Sequence, residues 1–248
     1  MIQIYNDDCF NILPQIENES VRLILCDLPY QQIAQKWDIK LDLDKLWKEY
    51  NRILKDGGIV LLFSSGAFTF ELYNSNPKQY KYKLIWEKNT PSGMNSARYR
   101  PMKYYEEIMV FQKGLTKNIV YNPIMKPRKQ GKTTYCYSDK YTHHCTSNKH
   151  IPNELKRIDK VYDIDWVQPS DILQFNVVNN RLKVHSTQKP VDLLEYLIKT
   201  FSNEGDTILD NCMGSGSTMV ACKNTQRNGI GIELEKKYFD IAQERIFG

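Results

Sequence analysis

Two short stretches carry the residue types that could do chemistry. The first is Asp27-Leu28-Pro29-Tyr30, which follows the apolar run Val21-Arg22-Leu23-Ile24-Leu25-Cys26. That run reads as a buried strand ended by a proline turn. A carboxylate, a fixed turn and an aromatic ring then stand at a strand's carboxyl end, where open α/β sheets bind ligands. Taken alone, the tetrapeptide reads equally as a strand–turn with a surface Asp and a packed Tyr.

The second stretch is Asp210-Asn211-Cys212-Met213-Gly214-Ser215-Gly216-Ser217-Thr218, with Glu233 17 residues past Gly216. Glycines at 214 and 216 let backbone approach a ligand, and a helix start beyond them supplies free N–H groups. An acid at the end of the following strand can accept both hydroxyls of a ribose. A dinucleotide fingerprint would place Gly or Ala three residues after Gly216, but that position is Met219. The arrangement is therefore nucleoside-binding and disfavours NAD.

The elements that must position these stretches follow from periodicity. Strands are predicted at 2–5, 21–27, 59–63, 82–87, 107–112, 207–210 and 229–233. Helices are predicted at 9–16, 43–54, 67–73, 191–201, 219–224 and 238–246. Asp56-Gly57-Gly58 reads as a helix stop, and residues 89–103 read as a loop. Alternation of strand and helix argues for an α/β fold, a mostly parallel sheet with helices on both faces. Three regions are expected: 1–112, a basic insertion at 113–184, and 185–248.

Composition bounds the partners. Hydrophobic residues make up 41% of the chain, which is ordinary for a globular protein. No apolar run approaches the roughly 20 residues of a membrane span, so no membrane partner is expected. The N-terminus lacks the basic-then-apolar pattern of a secretory signal. Six cysteines, at 9, 26, 136, 145, 212 and 222, form no Cys-x-x-Cys pair, which fits a reduced, intracellular setting. Residues 113–183 hold 13 Lys and Arg against 6 Asp and Glu, a net +7, leaving −2 elsewhere in a chain of net +5. A basic segment on a slightly acidic body suggests a polyanion; a solvated lysine-rich loop is the plain alternative. The Cys and His residues of that segment match no common zinc spacing, so no metal site is expected.

The order of the motifs resembles that of S-adenosylmethionine-dependent DNA amino-methyltransferases of the permuted beta class. In that family an Asp-Pro-Pro-Tyr-like tetrapeptide is followed by a target-recognition region, a His-x-x-Gln-Lys-Pro-like segment and a Gly-rich cofactor loop. Here these are Asp27 to Tyr30, the basic segment, His185-Ser186-Thr187-Gln188-Lys189-Pro190, and the turn from Asp210. The resemblance implies a Rossmann-like sheet of seven strands, one of them antiparallel near an edge. It also implies S-adenosyl-L-methionine as cofactor and methyl transfer to N6 of a flipped-out adenine in double-stranded DNA.

Residue by residue, the resemblance makes Asp27 and the Leu28 carbonyl the acceptors for the target amine, with Pro29 fixing the turn and Tyr30 stacking on the base. Around the cofactor it places Asp8, Lys189, Asp210, Cys212, Met213, Gly214, Ser215, Gly216, Ser217, Thr218 and Glu233. Asp8 reads equally as the N-cap of the helix starting near Cys9. Arg98, Arg100, Lys126, Arg128, Lys129 and Lys132 are the candidate DNA contacts. Leu28 departs from the family's usual Pro at that position, which leaves the carbonyl in place and the turn less rigid. N4-cytosine methylation on the same scaffold, and an inactive DNA-binding module, stand as alternatives. A homodimer and a restriction endonuclease counterpart remain open as partners, in a cytoplasmic, prokaryote- or phage-like setting.

Overall fold

The computed structural model describes residues 1–29, 41–127, 135–138, 143–146, 156–157, 166–179, 181, 183–185 and 187–248. It divides into two compact units, 1–122 with 171–248, and 123–170.

The larger unit begins with β1 (Ile2–Asn6), α1 (Cys9–Ile12) and β2 (Val21–Cys26). Next come α2 (Leu43–Ile53), β3 (Leu54–Ser64) and α3 (Ala67–Ser75). A long hairpin follows, β4 (Tyr80–Ser92) and β5 (Lys103–Gln112). The smaller unit holds short strands: β6 (Lys126–Pro127), β7 (Tyr135–Ser138), β8 (His143–Thr146), β9 (Lys156–Arg157) and β10 (Trp166–Val167). β6 pairs with β10, and β7 lies between β8 and β9. The larger unit resumes with β11 (Ile172–Gln174), α4 (Val191–Phe201), β12 (Thr207–Asp210), α5 (Ser217–Asn224), β13 (Asn228–Glu233) and α6 (Lys236–Phe247).

The main sheet has the order β1-β13-β12-β2-β3-β5-β4-β11. β5 is antiparallel to both its neighbours, and every other pair is parallel. The sheet thus has eight strands where seven were expected. The extra one, β11, spans three residues and sits inside the segment read as an aperiodic insertion; only its parallel pairing with Ile85 to Glu87 reveals it.

Alternation along the buried strands gives the sheet two apolar faces. Leu23 and Leu25 of β2 and Leu61 and Phe63 of β3 pack with α4, α5 and α6 on one side. Ile24 and Cys26, with Val60 and Leu62, pack with α1, α2 and α3 on the other. In α2 the residues at helical spacing, Leu46, Trp47, Tyr50 and Ile53, are buried, and Asp42 caps the helix by accepting from the Lys45 N–H at 3.1 Å.

The stop read at Asp56-Gly57-Gly58 is instead part of β3. The pairing of β2 with β3 skips from Val21–Leu54 to Leu23–Ile59, so these residues form an irregularity within the strand. Gly57 sits at φ +73° with the Asn118 carbonyl oxygen 2.1 Å from where a Cβ would stand, which only glycine tolerates. The loop read at 89–103 is shorter than expected, because β4 runs on to Ser92 and β5 starts at Lys103.

The sheet order also fixes where a ligand can enter. From β2 the chain crosses by α2 to β3 on one side; from β12 it crosses by α5 to β13 on the other. The carboxyl ends of the adjacent strands β2 and β12 therefore form the point of strand-order reversal, where a crevice opens. β1 and β13, the first and last strands, pair in register from Ile2–Gly229 to Asn6–Glu233. The two motif-bearing halves of the sequence thus become neighbours.

Candidate active site

At that reversal lies a cleft of about 250 Å³. Of the residues named from the sequence, Asp8, Asp27, Leu28, Pro29, Lys189, Asp210, Cys212, Met213, Gly214, Ser215, Ser217, Thr218 and Glu233 line it. Gly216 stands behind the wall: its N–H donates to the Met213 carbonyl at 2.9 Å and its Cα faces Ala242. Tyr30 lies outside the described residues.

The Gly-rich turn is held by the acids at either end of it. Asp210, at the end of β12, accepts from the Thr218 hydroxyl at 2.6 Å and from the Cys212 N–H at 3.1 Å. Burial pushes its carboxyl up to about 6 against these stabilising bonds. Glu233, at the end of β13, accepts from the Gly214 N–H through Oε2 and from the Glu235 N–H through Oε1, both at 2.8 Å. Burial raises its pKa too. Each oxygen keeps a second lone pair for a ligand hydroxyl. Asp8 accepts from the Phe10 N–H at 2.9 Å as the N-cap of α1 and also lines the cleft, so one side chain occupies both expected positions.

Across the cleft, Asp27 follows the end of β2. Its Oδ2 accepts from Lys189 Nζ at 2.6 Å. Lys189 also lies 3.2 Å from Glu106 Oε2 and 4.9 Å from the centre of the Phe63 ring. The resemblance pairs Lys189 with a cofactor carboxylate, but the geometry pairs it with carboxylates of the chain itself.

Several lining residues were not marked as site residues in the sequence. His185 packs edge-on against Tyr238, with ring centres 4.2 Å apart, beside Gly214. Burial and the neighbouring Lys189 charge lower its pKa to about 4, so the ring is neutral near pH 7. Asn211 accepts from the buried Tyr50 hydroxyl of α2. Arg245 of α6 donates to the carbonyl of Ser215 and, at 2.9 Å, to its hydroxyl, bracing the Gly-rich turn from behind. No local pattern could reveal these, because each contact joins elements distant in sequence.

The donor set suits a sulfonium nucleoside. Carboxylates at Glu233 and Asp8 can take hydroxyl and amine donors, and Leu25, Phe63, Met213 and Tyr238 supply apolar and aromatic surface. The left-handed backbone at Gly214, φ +52°, keeps the turn bare of side chain where it faces the His185 ring.

Of the candidate DNA contacts, Arg98 and Arg100 are exposed between β4 and β5, in the larger unit. Lys126 is exposed in β6 of the smaller unit. Arg128, Lys129 and Lys132 lie outside the described residues.

Comparison with known proteins agrees with this geometry. A family model for N6 and N4 methyltransferases, described as DNA methylase, matches residues 21–244. The Type II methyltransferase M1.MboII of Moraxella bovis is 28% identical over 97% of this chain and 94% of its own length. The crystal structure of the M1.HpyAVI–SAM complex superposes with a TM-score of 0.67 at 26% identity, covering all of both chains. PvuII DNA methyltransferase, titled cytosine-N4-specific, shares the fold: TM-score 0.66, 15% identity, 100% of this chain and 86% of that one. The matched motifs, the sheet and the cleft lead to one assignment: the chain belongs to the DNA methylase family, the S-adenosylmethionine-dependent amino-methyltransferases of N6 and N4 type.

Proposed function

We propose that this protein methylates N6 of adenine in double-stranded DNA, with Asp27 as the side-chain acceptor for the target amine. The observation that carries the reading is the meeting of Asp27 and the Asp210–Thr218 turn in one cleft at the strand-order reversal. The cofactor supplies an electrophilic methyl group on sulfur. The chain's residues do the rest.

An exocyclic amine is a weak nucleophile because its lone pair is delocalised into the ring. Asp27 and the Leu28 carbonyl accept its two N–H bonds, localise the lone pair, and stabilise the positive charge that grows on nitrogen. Pro29 fixes the turn that presents both acceptors, and Tyr30 stacks on the base. The target atom is out of reach inside a duplex, so the nucleotide enters flipped out of the helix. On the other wall, Glu233 takes the ribose hydroxyls, and Asp8 lies toward the adenine of the cofactor. The bare turn at Gly214 to Thr218 admits the methionine moiety.

Adenine is chosen over cytosine because Asp stands first in the tetrapeptide, as in the adenine-N6 group it resembles, where the cytosine-N4 group commonly has Ser. Arg98 and Arg100 contact DNA beside the flipped base. Lys126, Arg128, Lys129 and Lys132 neutralise phosphates and fix register, which adds affinity more than sequence information. A second copy of the chain and a cognate restriction endonuclease are the further partners this reading carries, in the cytoplasm of a prokaryotic cell.

The test is methyl transfer from labelled S-adenosylmethionine to mixed-sequence duplex DNA, followed by digestion to nucleosides and mass identification. Labelled N6-methyladenosine is expected. N4-methylcytidine would overturn the base assignment, and cofactor binding without label in DNA would overturn the substrate.

A further inference from the structure

Asp27 is the end of a chain of alternating charges that reaches across three strands. Lys88 on β4 donates from Nζ to Glu106 Oε1 at 2.9 Å. Glu106 on β5 meets Lys189 through its other oxygen at 3.2 Å, and Lys189 donates to Asp27 at 2.6 Å. Both lysines are buried, Lys88 at 7% and Lys189 at 9% exposure. Burying four ionised groups is costly unless each is paired. Here the signs alternate and sum to zero. An apolar set of the same volume would hold the strands together as well, so packing alone gives no reason for the charges.

A reason comes from what Asp27 must do. An acceptor for a planar amine has to be ionised and held in one orientation, because small displacements of a reacting group are expensive in rate. Lys189 grips one oxygen of the carboxylate and so limits its rotation. Lys189 has a long, flexible stem and needs fixing in turn. Glu106 and the face of Phe63 hold its ammonium, and Lys88 holds Glu106.

We infer that Glu106 is a positioning residue for Asp27, acting through Lys189, with Lys88 as its support. The inference rests on the proposed role of Asp27. The other titratable groups lining the same cleft are Asp7, Asp8, His185, Asp210, Cys212 and Glu233. They are unchanged in the variants below, so a difference between those variants belongs to the ionic chain.

The experiment compares Glu106→Gln, Glu106→Asp and Lys189→Gln in steady-state methyl transfer to duplex DNA, across pH. Glu106→Gln is expected to lower kcat by about tenfold, through loss of orientation at the acceptor. Its KM for S-adenosylmethionine should stay within about twofold, since no ground-state contact to the cofactor is lost. Glu106→Asp keeps the charge and recovers part of the rate; should Glu106→Gln fail to fold, this variant carries the test with an intermediate kcat and unchanged KM. In Lys189→Gln the acid limb of kcat moves to higher pH, because a carboxylate without its cation keeps its proton longer. In Glu106→Gln, where an anion is removed, it does not move up.

Wild-type kcat in both Glu106 variants would overturn the inference. So would a Lys189→Gln loss confined to KM for S-adenosylmethionine, which would make Lys189 a cofactor ligand. The two failures are separable: if wild type transfers no methyl to DNA, or Asp27→Ala stays active, the functional reading falls. If wild type is active and Asp27→Ala silent but the Glu106 variants are normal, only the positioning role falls.

Discussion

The Gly214 N–H donates to Glu233 Oε2 at 2.8 Å, joining the Gly-rich turn after β12 to the end of β13. One carboxylate therefore shapes the turn and faces the ligand from it. Replacing it tests both roles. In Glu233→Gln an amide –NH2 replaces one oxygen and confronts a backbone N–H, leaving buried donors unmatched. A loss of about 1–3 kcal/mol is expected from one such mismatch, which is tenfold to a hundredfold in S-adenosylmethionine affinity by calorimetry. Wild-type affinity would remove Glu233 from the site.

Gly216 should resist substitution for reasons that do not involve ligand contact. Its φ is +77°, and an added Cβ would stand 2.9 Å from the Ala242 Cβ and 3.1 Å from Ile246 Cδ1. Strain and overpacking together predict that Gly216→Ala costs about 1–3 kcal/mol. At about 2–4 °C per kcal/mol for a chain of this size, a Tm lower by several degrees is the expected reading in a thermal melt. An unchanged Tm would mean that α5 and α6 do not pack as described.

Stability should depend on acid in a way set by two carboxyls of opposite shift. Burial works to raise the pKa of Glu106, but Lys189 and Lys88 overcome it and hold it at about 2 against the usual 4.5. A depressed pKa stabilises the fold above the unfolded value, and that contribution is lost as pH falls from about 4.5 toward 2. Asp210 runs the other way: raised to about 6 from 3.8, it favours the folded state at low pH and loses that contribution as pH rises through about 6. Melts from pH 7 down to pH 3 should show wild type losing stability below about pH 4.5. Glu106→Gln should be flatter there. Parallel curves would contradict the ion pairing of Glu106.

Arg98 and Arg100, exposed between β4 and β5, should contribute to DNA affinity through phosphates. The double alanine variant is expected to lower the slope of log affinity against log salt by about 2, one unit per lost contact. An unchanged slope would take these arginines off the DNA.

Much of the architecture was readable because it rests on local patterns. The apolar runs of β2 and β3 and the helical spacing of Leu46, Trp47, Tyr50 and Ile53 are each set by burial on a known period. What escaped depends on partners far away in sequence. β11 is too short to show a period and exists by pairing with β4. Gly57 looked like a helix stop because a bulge and a stop use the same residue for the same positive φ. Glu106 and Glu107 are adjacent and alike, yet alternation along β5 separates their neighbours: Glu107 accepts from Thr69 at 2.6 Å and pairs with Lys83. Glu106 meets Lys88 and Lys189 instead. Only the folded register tells the two carboxylates apart, and only there does Lys189 meet Asp27, 162 residues away.

The most direct measurement pairs wild type with Asp27→Ala in methyl transfer to duplex DNA, read by nucleoside mass, with S-adenosylmethionine binding measured alongside. Wild type should yield N6-methyladenosine, and Asp27→Ala should yield none while binding the cofactor within a few-fold of wild type, because its acceptor acts only on the target amine. Full activity in Asp27→Ala, or methyl groups on any other atom, would contradict the account.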